Sequence, residues 1–440
     1  MAERIVKIGL VGFGTIGCGV AKLIAENADS IAAKTGLRLK LACVVDVDTK
    51  SKRPVQLPKG VLTNDLNKIL DDDSIEIGIE LVGGTTIAKD IQLKLLGAGK
   101  DVVTANKALL SEHGNQLYQA AHKNNKCIAF EASCVGGVPI ISGLRTGLVA
   151  NKITDIYGIV NGTCNYILSN MSCKNVAFAE ALAQAQQKGF AEADPTLDIS
   201  GGDSAHKLAI LSSLAFGYDI VPKDIYVEGI EGISQDDIRF GDEMGYVLKL
   251  LAIAQKNDNG KISLRVHPSF IAKNNSLALV DGSFNAISVF GNAVGHVMYY
   301  GRGAGMMPTA SAVVADIIDV ALGNSATTFR NLKLKPRKES AKLVEDIDNL
   351  KSRFYIRMMV KNKPGAVGLF SKALGDNQIS ISGVLQHEGN GPDNTVPVVV
   401  ITHLTTQKNI NNALKSLKKL NVIKGKPVSI KIVDIPEDLD

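Results

Sequence analysis

Tryptophan is absent from the 440 residues, aromatic residues make up only 5%, and the six cysteines contain no CxxC pair. Cysteines 18, 43, 127, 134, 164 and 173 therefore read as reduced, mostly buried thiols rather than a disulfide framework. None of the seven histidines has metal-ligand spacing, and no HExxH occurs. Gly-x-Ser-x-Gly and Walker-type loops are also missing, which disfavours hydrolase and kinase chemistry. No basic stripe interleaves with aromatics and the net charge of +5 is mild, so nucleic acid is not an expected partner. No run of about 18 apolar residues is present, and a membrane is not an expected partner either. A strand pattern begins by Ile5, leaving no room for a signal peptide. The expectation from these absences is a cytoplasmic, reduced, globular protein.

Glycine is plentiful, at 42 residues, and 45% of the chain is hydrophobic, as suits an α/β protein of two to four domains. Gly12-Phe13-Gly14-Thr15-Ile16-Gly17 follows the apolar run Ile5 to Val11 and precedes apolar residues at helical spacing from Cys18 to Glu26. Strand, glycine turn and helix in that order form the start of a dinucleotide-binding unit. There Gly12 allows the tight turn, Gly14 the approach of a pyrophosphate, and Gly17 close helix packing. The alternative is a glycine turn that binds nothing.

Strand and helix patterns alternate over the first ~140 residues, as in a doubly wound parallel sheet. The strands are Ile5 to Val11, Leu39 to Val45, Ile75 to Val82, Asp101 to Thr104 and Cys127 to Phe130. Their carboxyl ends, Gly83-Gly84, Ala105 to Lys107 and Glu131 to Gly137, are expected to line one crevice. After Pro139 the pattern becomes α+β, with strands at 153–160, 262–266 and 293–300 and helices at 176–188 and 204–216. The helical run Pro308 to Leu322 is expected to pack back on the first domain. Residues 331–352 are highly charged and read as a linker or solvated helix. Beyond them the order βαββαβ within about 80 residues is the ferredoxin-like arrangement. The expected domains are 1–138, completed by a returning helix at 308–325, then 139–307, a linker at 331–352, and 353–435.

Two lysines stand out. Lys107 follows a strand end facing the nucleotide crevice, and Lys207 lies one helical turn after Asp203. A lysine held between domains beside another cation can trade a proton with an alcohol oxygen, whereas most lysines are surface groups. Glu192, Asp194, Asp198 and Asp203 crowd one loop-rich segment. They suit a divalent metal, the ammonium of an amino acid, or a solvated loop with capping aspartates. Asp46 ends the second strand, where a carboxylate accepts from the ribose 2′-hydroxyl of NAD. Lys50, Lys52 and Arg53 follow it and suit the 2′-phosphate of NADP, so the sequence leaves the choice of nicotinamide open.

Taken together these segments resemble the homoserine dehydrogenase family, in its form with a C-terminal ACT regulatory domain. The resemblance rests on Val11 to Gly17, Val103 to Ala108, Glu131-Ala132-Ser133 and Asn161 to Tyr166. It extends to Gly189 to Asp203 with Lys207, and to Gly301 to Gly305 leading into Pro308 to Val313. It implies reversible hydride transfer between NAD or NADP and the C4 alcohol of L-homoserine, giving L-aspartate 4-semialdehyde. It casts Lys207 as the group exchanging the proton and Lys107 as its helper. Glu192, Asp203, Thr163 and Asn161 are implied for the substrate, and Gly12 to Gly17, Asp46, Arg53, Thr104, Lys107 and Gly303 for the cofactor. It further implies a sodium or potassium site at Glu131, Cys134, Gly136 and Val138, formed by main-chain carbonyls, and a homodimer or homotetramer. The tail resembles an ACT domain through Lys361 to Val367 and Gly375 to Ile381, which implies an allosteric amino acid, expected to be L-threonine, at the 361–367 turn. Asn362 stands where many ACT domains have aspartate. Two rivals remain at this point: a nicotinamide dehydrogenase acting on another amino acid, and a catalytically silent amino-acid sensor.

Overall fold

The computed structural model describes residues 3–387 and 394–436, so residues 388–393 of the expected 353–435 module lie outside the described residues. The chain forms two compact units, each built from three segments: Met1–Gly162, Gly202–Ile225 and Ser283–Lys342 in one, Thr163–Gly201, Tyr226–Gly282 and Leu343–Asp440 in the other. The stretch 139–307 is thus shared between the two units.

The first unit is organised by six parallel strands: β1 (Arg4–Val11), β2 (Leu37–Val45), β3 (Leu62–Thr63), β4 (Ile75–Glu80), β5 (Asp101–Thr104) and β6 (Ile128–Ala129). Their order is β3-β2-β1-β4-β5-β6, which places a topological switch point between β1 and β4. Central strands of such a sheet are buried on both faces, and the carboxyl halves of β1 and β4 are accordingly buried, with Ile8, Leu10, Ile77 and Ile79 at most 1% exposed. Where a helix presses closest the strand carries glycine: a Cβ on Gly78 would stand 2.7 Å from the Leu95 side chain. The helix Met306–Ala321 packs along Thr15–Glu26, and a Cβ on Gly19 would lie 2.9 Å from Met306. It starts ahead of Pro308, because proline in a first turn lacks only an N–H that has no helical partner anyway. Strands Ile153–Ile159, Phe284–Gly291 and Gly295–Arg302 add an antiparallel triplet to this unit.

In the second unit Tyr246–Lys256 and Ile262–Ala272 pair antiparallel along eleven residues each. Ile262–Ala272 continues through a short parallel register, Ser269 opposite Lys431, onto the strand Ile423–Ile432. From there the sheet runs through Lys351–Lys361, Thr395–Thr402 and Ile381–Gln386. The helices Ala366–Asp376 and Gln407–Lys418 supply Phe370, Leu374, Ile410 and Leu417 to a core shared with Phe354, Ile356 and Val400. In chain order these elements run strand, helix, strand, strand, helix, strand.

Among the described residues no single helix is long and apolar enough to cross a membrane.

Candidate active site

Asp203 is the hub of the first unit. It stands in the first turn of the helix Gly202–Phe216 and is 2% exposed. Its Oδ2 accepts from Lys207 Nζ at 2.8 Å and from Asn161 Nδ2 at 2.8 Å. Its Oδ1 is paired with Lys107 Nζ. Lys207 Nζ also donates to the Val160 carbonyl at 2.6 Å, so it is fixed by its own helix and by the chain leaving the strand Ile153–Ile159. Burial alone would push the Asp203 carboxyl up. The charges and hydrogen bonds of Lys207 and Lys107 outweigh burial and hold it well below the usual carboxylate range.

Lys107 is positioned by the end of the parallel sheet. It opens the helix Lys107–Lys123, capped by Asn106, whose side chain accepts from Leu109 N at 3.1 Å and donates to the Gly84 carbonyl at 2.8 Å. Thr104 Oγ1 donates to Glu80 Oε2 at 2.9 Å. Glu80 is fully buried at the end of β4, and its Oε1 accepts from Val82 N and Gly83 N at 2.8 and 3.1 Å. One carboxylate thus fixes the β4 turn and the β5 end together. Sequence reasoning missed Glu80, and its signal was an acidic residue closing an otherwise apolar strand.

At the other end of the switch point, Gly12 has φ +96°, and a Cβ there would stand 2.7 Å from the Leu81 backbone. A Cβ on Gly17 would lie 2.3 Å from the Gly12 carbonyl, while around Gly14 nothing lies within 4 Å. The helix Thr15–Glu26 begins at Gly14 with no side-chain cap among the described residues, leaving its first N–H groups for an outside acceptor. This cradle fits a pyrophosphate. Asp46 Oδ2 accepts from Phe13 N at 2.6 Å, and Arg53 lies 3.3 Å from the same carboxylate. Arg53 also donates to the Phe13 carbonyl at 2.7 Å and lies over the Phe13 ring, 5.3 Å from its centroid. A cleft of about 500 Å³ beside them includes Ser51, Lys52, Arg53 and Lys59.

The loop from Glu131 to Val138 is strained. Val135 has φ +57° and Gly136 φ +45°, and a β-branched residue at positive φ is a true outlier. The Glu131 carboxylate accepts from Ile141 N and Ser142 N at 2.8 Å each, and burial pushes it up against those bonds. Gly137 N donates to the Arg302 carbonyl at 3.0 Å, and a Cβ on Gly136 would lie 2.6 Å from the Gly303 carbonyl. Gly303 in turn leaves no room for a Cβ beside Asn285, a further neighbour the sequence did not flag. Among the described residues no group of three His, Cys, Asp or Glu side chains could hold a metal ion.

Thr163 and Glu192 belong to the second unit. Thr163 Oγ1 donates to the Phe190 carbonyl at 2.6 Å, tying the helix Gly162–Lys174 to the acidic loop. Glu192 is exposed.

Residues 12–131 match the family described as homoserine dehydrogenase, NAD binding domain, and residues 139–318 match homoserine dehydrogenase. The homoserine dehydrogenase of Helicobacter pylori is 42% identical over 439 residues, covering 98% of this chain and all of its own. The chain belongs to the homoserine dehydrogenase family. Homoserine dehydrogenase from Thiobacillus denitrificans superposes with a TM-score of 0.87 at 37% identity, over 98% of this chain and 99% of its own. A hyperthermophilic archaeal homoserine dehydrogenase mutant, solved in complex with NADPH, has a TM-score of 0.61 at 28% identity. It covers 72% of this chain and 98% of its own. The protein is accordingly a nicotinamide-dependent oxidoreductase of the homoserine dehydrogenase family, and its glycine cradle is that family's NAD-binding domain.

Proposed function

We propose that this homoserine dehydrogenase interconverts L-homoserine and L-aspartate 4-semialdehyde at the carboxylate hub of Asp203. The observation that carries the reading is two lysines and one asparagine on a single buried carboxylate. When bound, the nicotinamide supplies or accepts the hydride at the substrate's C4. The pyrophosphate is held by Gly12, Phe13, Gly14, Thr15, Ile16 and Gly17, and the adenosine ribose by Asp46 and Arg53. Thr104, Lys107 and Gly303 border the nicotinamide end. In the reductive direction Lys207 hydrogen-bonds the aldehyde oxygen and hands over a proton as alkoxide charge develops there. Lys107 adds a second positive charge to that field, since fixed donors at a developing oxyanion lower the barrier. Asp203 keeps both ammonium groups aimed, and Asn161 fixes its orientation. The main-chain carbonyls of Glu131, Cys134, Gly136 and Val138, in the loop strained at Val135 and Gly136, would hold a sodium or potassium ion.

Lys52, Arg53 and Lys59 suit a 2′-phosphate and Asp46 a 2′-hydroxyl, so the protein takes NADP as well as NAD. The archaeal relative bound to NADPH matches only 72% of this chain, which supports a chemical core independent of part of its length. The C-terminal module is then an ACT domain through which L-threonine regulates a cytoplasmic homodimer or homotetramer. The test is formation of reduced nicotinamide from L-homoserine with NAD or NADP, with and without L-threonine. Lys207→Met and Lys107→Met are each expected to lower kcat by about 10²–10³, the loss typical of one such donor, with cofactor affinity kept in Lys207→Met and weakened in Lys107→Met. Normal kcat in Lys207→Met would remove Lys207 from the chemistry.

A further inference from the structure

Glu80 is the last residue of β4 and is 0% exposed. Four groups donate to its carboxylate: Val82 N, Gly83 N, Thr104 Oγ1 and Gln92 Nε2, the last at 2.9 Å from Oε2. All four are uncharged. Gln92 is itself fully buried, and in turning its NH₂ to the carboxylate it leaves its own Oε1 with no hydrogen-bond partner. A buried charge answered only by neutral dipoles is costly to hold.

The local bonds do not call for that charge. A glutamine at position 80 could accept from Val82 N and Gly83 N through its oxygen. Its NH₂ would then donate to Thr104 Oγ1 and to the Gln92 amide turned over. A neutral side chain could therefore fix the same two strand ends at lower cost. The negative charge needs a reason outside this cluster.

That reason lies at the carboxyl ends of β4 and β5, where a parallel sheet of this kind holds its ligand. Thr104 Oγ1, 2.9 Å from Glu80, also accepts from Asn106 N at 3.1 Å, and Asn106 caps the helix that Lys107 opens. At the hub, Lys107 and Lys207 bring two positive charges and Asp203 one negative, so one positive charge is left over. That surplus favours the neutral ring of a reduced nicotinamide and repels the cationic ring of the oxidised form. We propose that the Glu80 carboxylate offsets this surplus and so sets the ratio in which the protein binds oxidised and reduced nicotinamide. No contact with the ring is needed, because charges act on one another across a poorly screening interior. A tenfold preference corresponds to unit charges about 12 Å apart at an effective dielectric constant of about 20. The inference rests on the reading that Thr104 and Lys107 border the nicotinamide.

Full-length protein is titrated with cofactor in the absence of substrate. NADH binding is read from nicotinamide fluorescence and binding of oxidised NAD by competition with NADH, so turnover has no part in the readout. Glu80→Gln is expected to raise the ratio of the oxidised to the reduced dissociation constant about tenfold. Glu80→Asp keeps the charge but shortens its reach to the four donors. It weakens both forms alike and leaves the ratio within about twofold. A purely structural Glu80 would make the first variant behave like the second. Lys107→Met removes a positive charge and moves the ratio the opposite way. An unchanged ratio in Glu80→Gln beside a shift in Lys107→Met overturns the role of Glu80 and leaves the nicotinamide next to Lys107. No shift in either variant overturns that placement as well. If Glu80→Gln does not fold, Gln92→Lys decides, because its ammonium neutralises the carboxylate in place and is expected to raise the ratio likewise. An unchanged ratio there overturns the proposal.

Discussion

Asp203 accepts from Lys207 and Asn161, pairs with Lys107, and is almost wholly removed from water. Removing one member of a buried ion pair leaves charge uncompensated, at a cost of about 3–5 kcal/mol. Asp203→Asn is therefore expected to lower Tm at neutral pH as well as kcat. The sign with pH follows from the depressed carboxyl: in the folded protein it stays ionised well below its unfolded value, near ~3.9. Its stabilisation is complete above that value and is lost as pH falls through the folded one. The Tm gap between wild type and Asp203→Asn is thus expected to narrow below about pH 4, and a gap constant from pH 7 to 3 would contradict it. The pairing of Lys207 with Asp203 was legible because residues four apart share a helix face. The pairing of Lys107 with Asp203 was not, because it joins helices far apart in the chain, and local spacing carries no information on that. Arg53 adds a second test here. Arg53→Ala is expected to weaken NADP more than NAD in paired KM measurements, because it removes a cation beside Asp46.

At the scale of elements, the strand Lys351–Lys361 is fastened to the helix Gln235–Glu243 by a buried ion pair. Arg357 Nε and an η nitrogen donate to the two oxygens of Asp237 at 2.6 and 3.0 Å, and the Tyr355 hydroxyl donates to the same carboxylate at 3.0 Å. Asp237 is fully buried and also closes the capping box with Ser234 that starts its helix. Arg357→Ala is expected to cost about 3–5 kcal/mol and to speed amide exchange in residues 235–243 before the first unit responds. Unchanged exchange there would show that the pair fastens nothing. Sequence patterns located β1, β2, β4 and β5 well, since strands buried in a parallel sheet are rich in Val, Ile and Leu and end at turn residues. They assigned no element to the strand Tyr246–Lys256, whose Leu, Ala and central lysine carry no two-residue alternation. They also misjudged part of 331–352: Arg337 pairs with Asp224, and Ser340 donates to the Asp219 carbonyl at 2.8 Å. A charged stretch looks solvated in sequence whether or not partners far along the chain neutralise it.

At the scale of the whole molecule, two compact units predict two unfolding steps that a nucleotide separates. Five of the six free thiols are buried and Cys173 is exposed. Burial pushes the Cys134 thiol up to about 12, so little reactive thiolate exists there at neutral pH. Ellman's reagent is therefore expected to modify one thiol per chain rapidly, at Cys173, and the rest only through opening. Cys18, Cys43, Cys127 and Cys134 lie in the first unit and Cys164 in the second. A cofactor at 100 times its Kd stabilises the unit that binds it by about 2.7 kcal/mol, a roughly hundredfold fall in the open population. Because the glycine cradle lies in the first unit, NAD or NADP should slow modification of those four thiols about a hundredfold and protect Cys164 much less. Peptide-resolved labelling with and without cofactor measures this directly. Equal protection of all five would mean that the units open together, and that a ligand held by one is felt in full by the other.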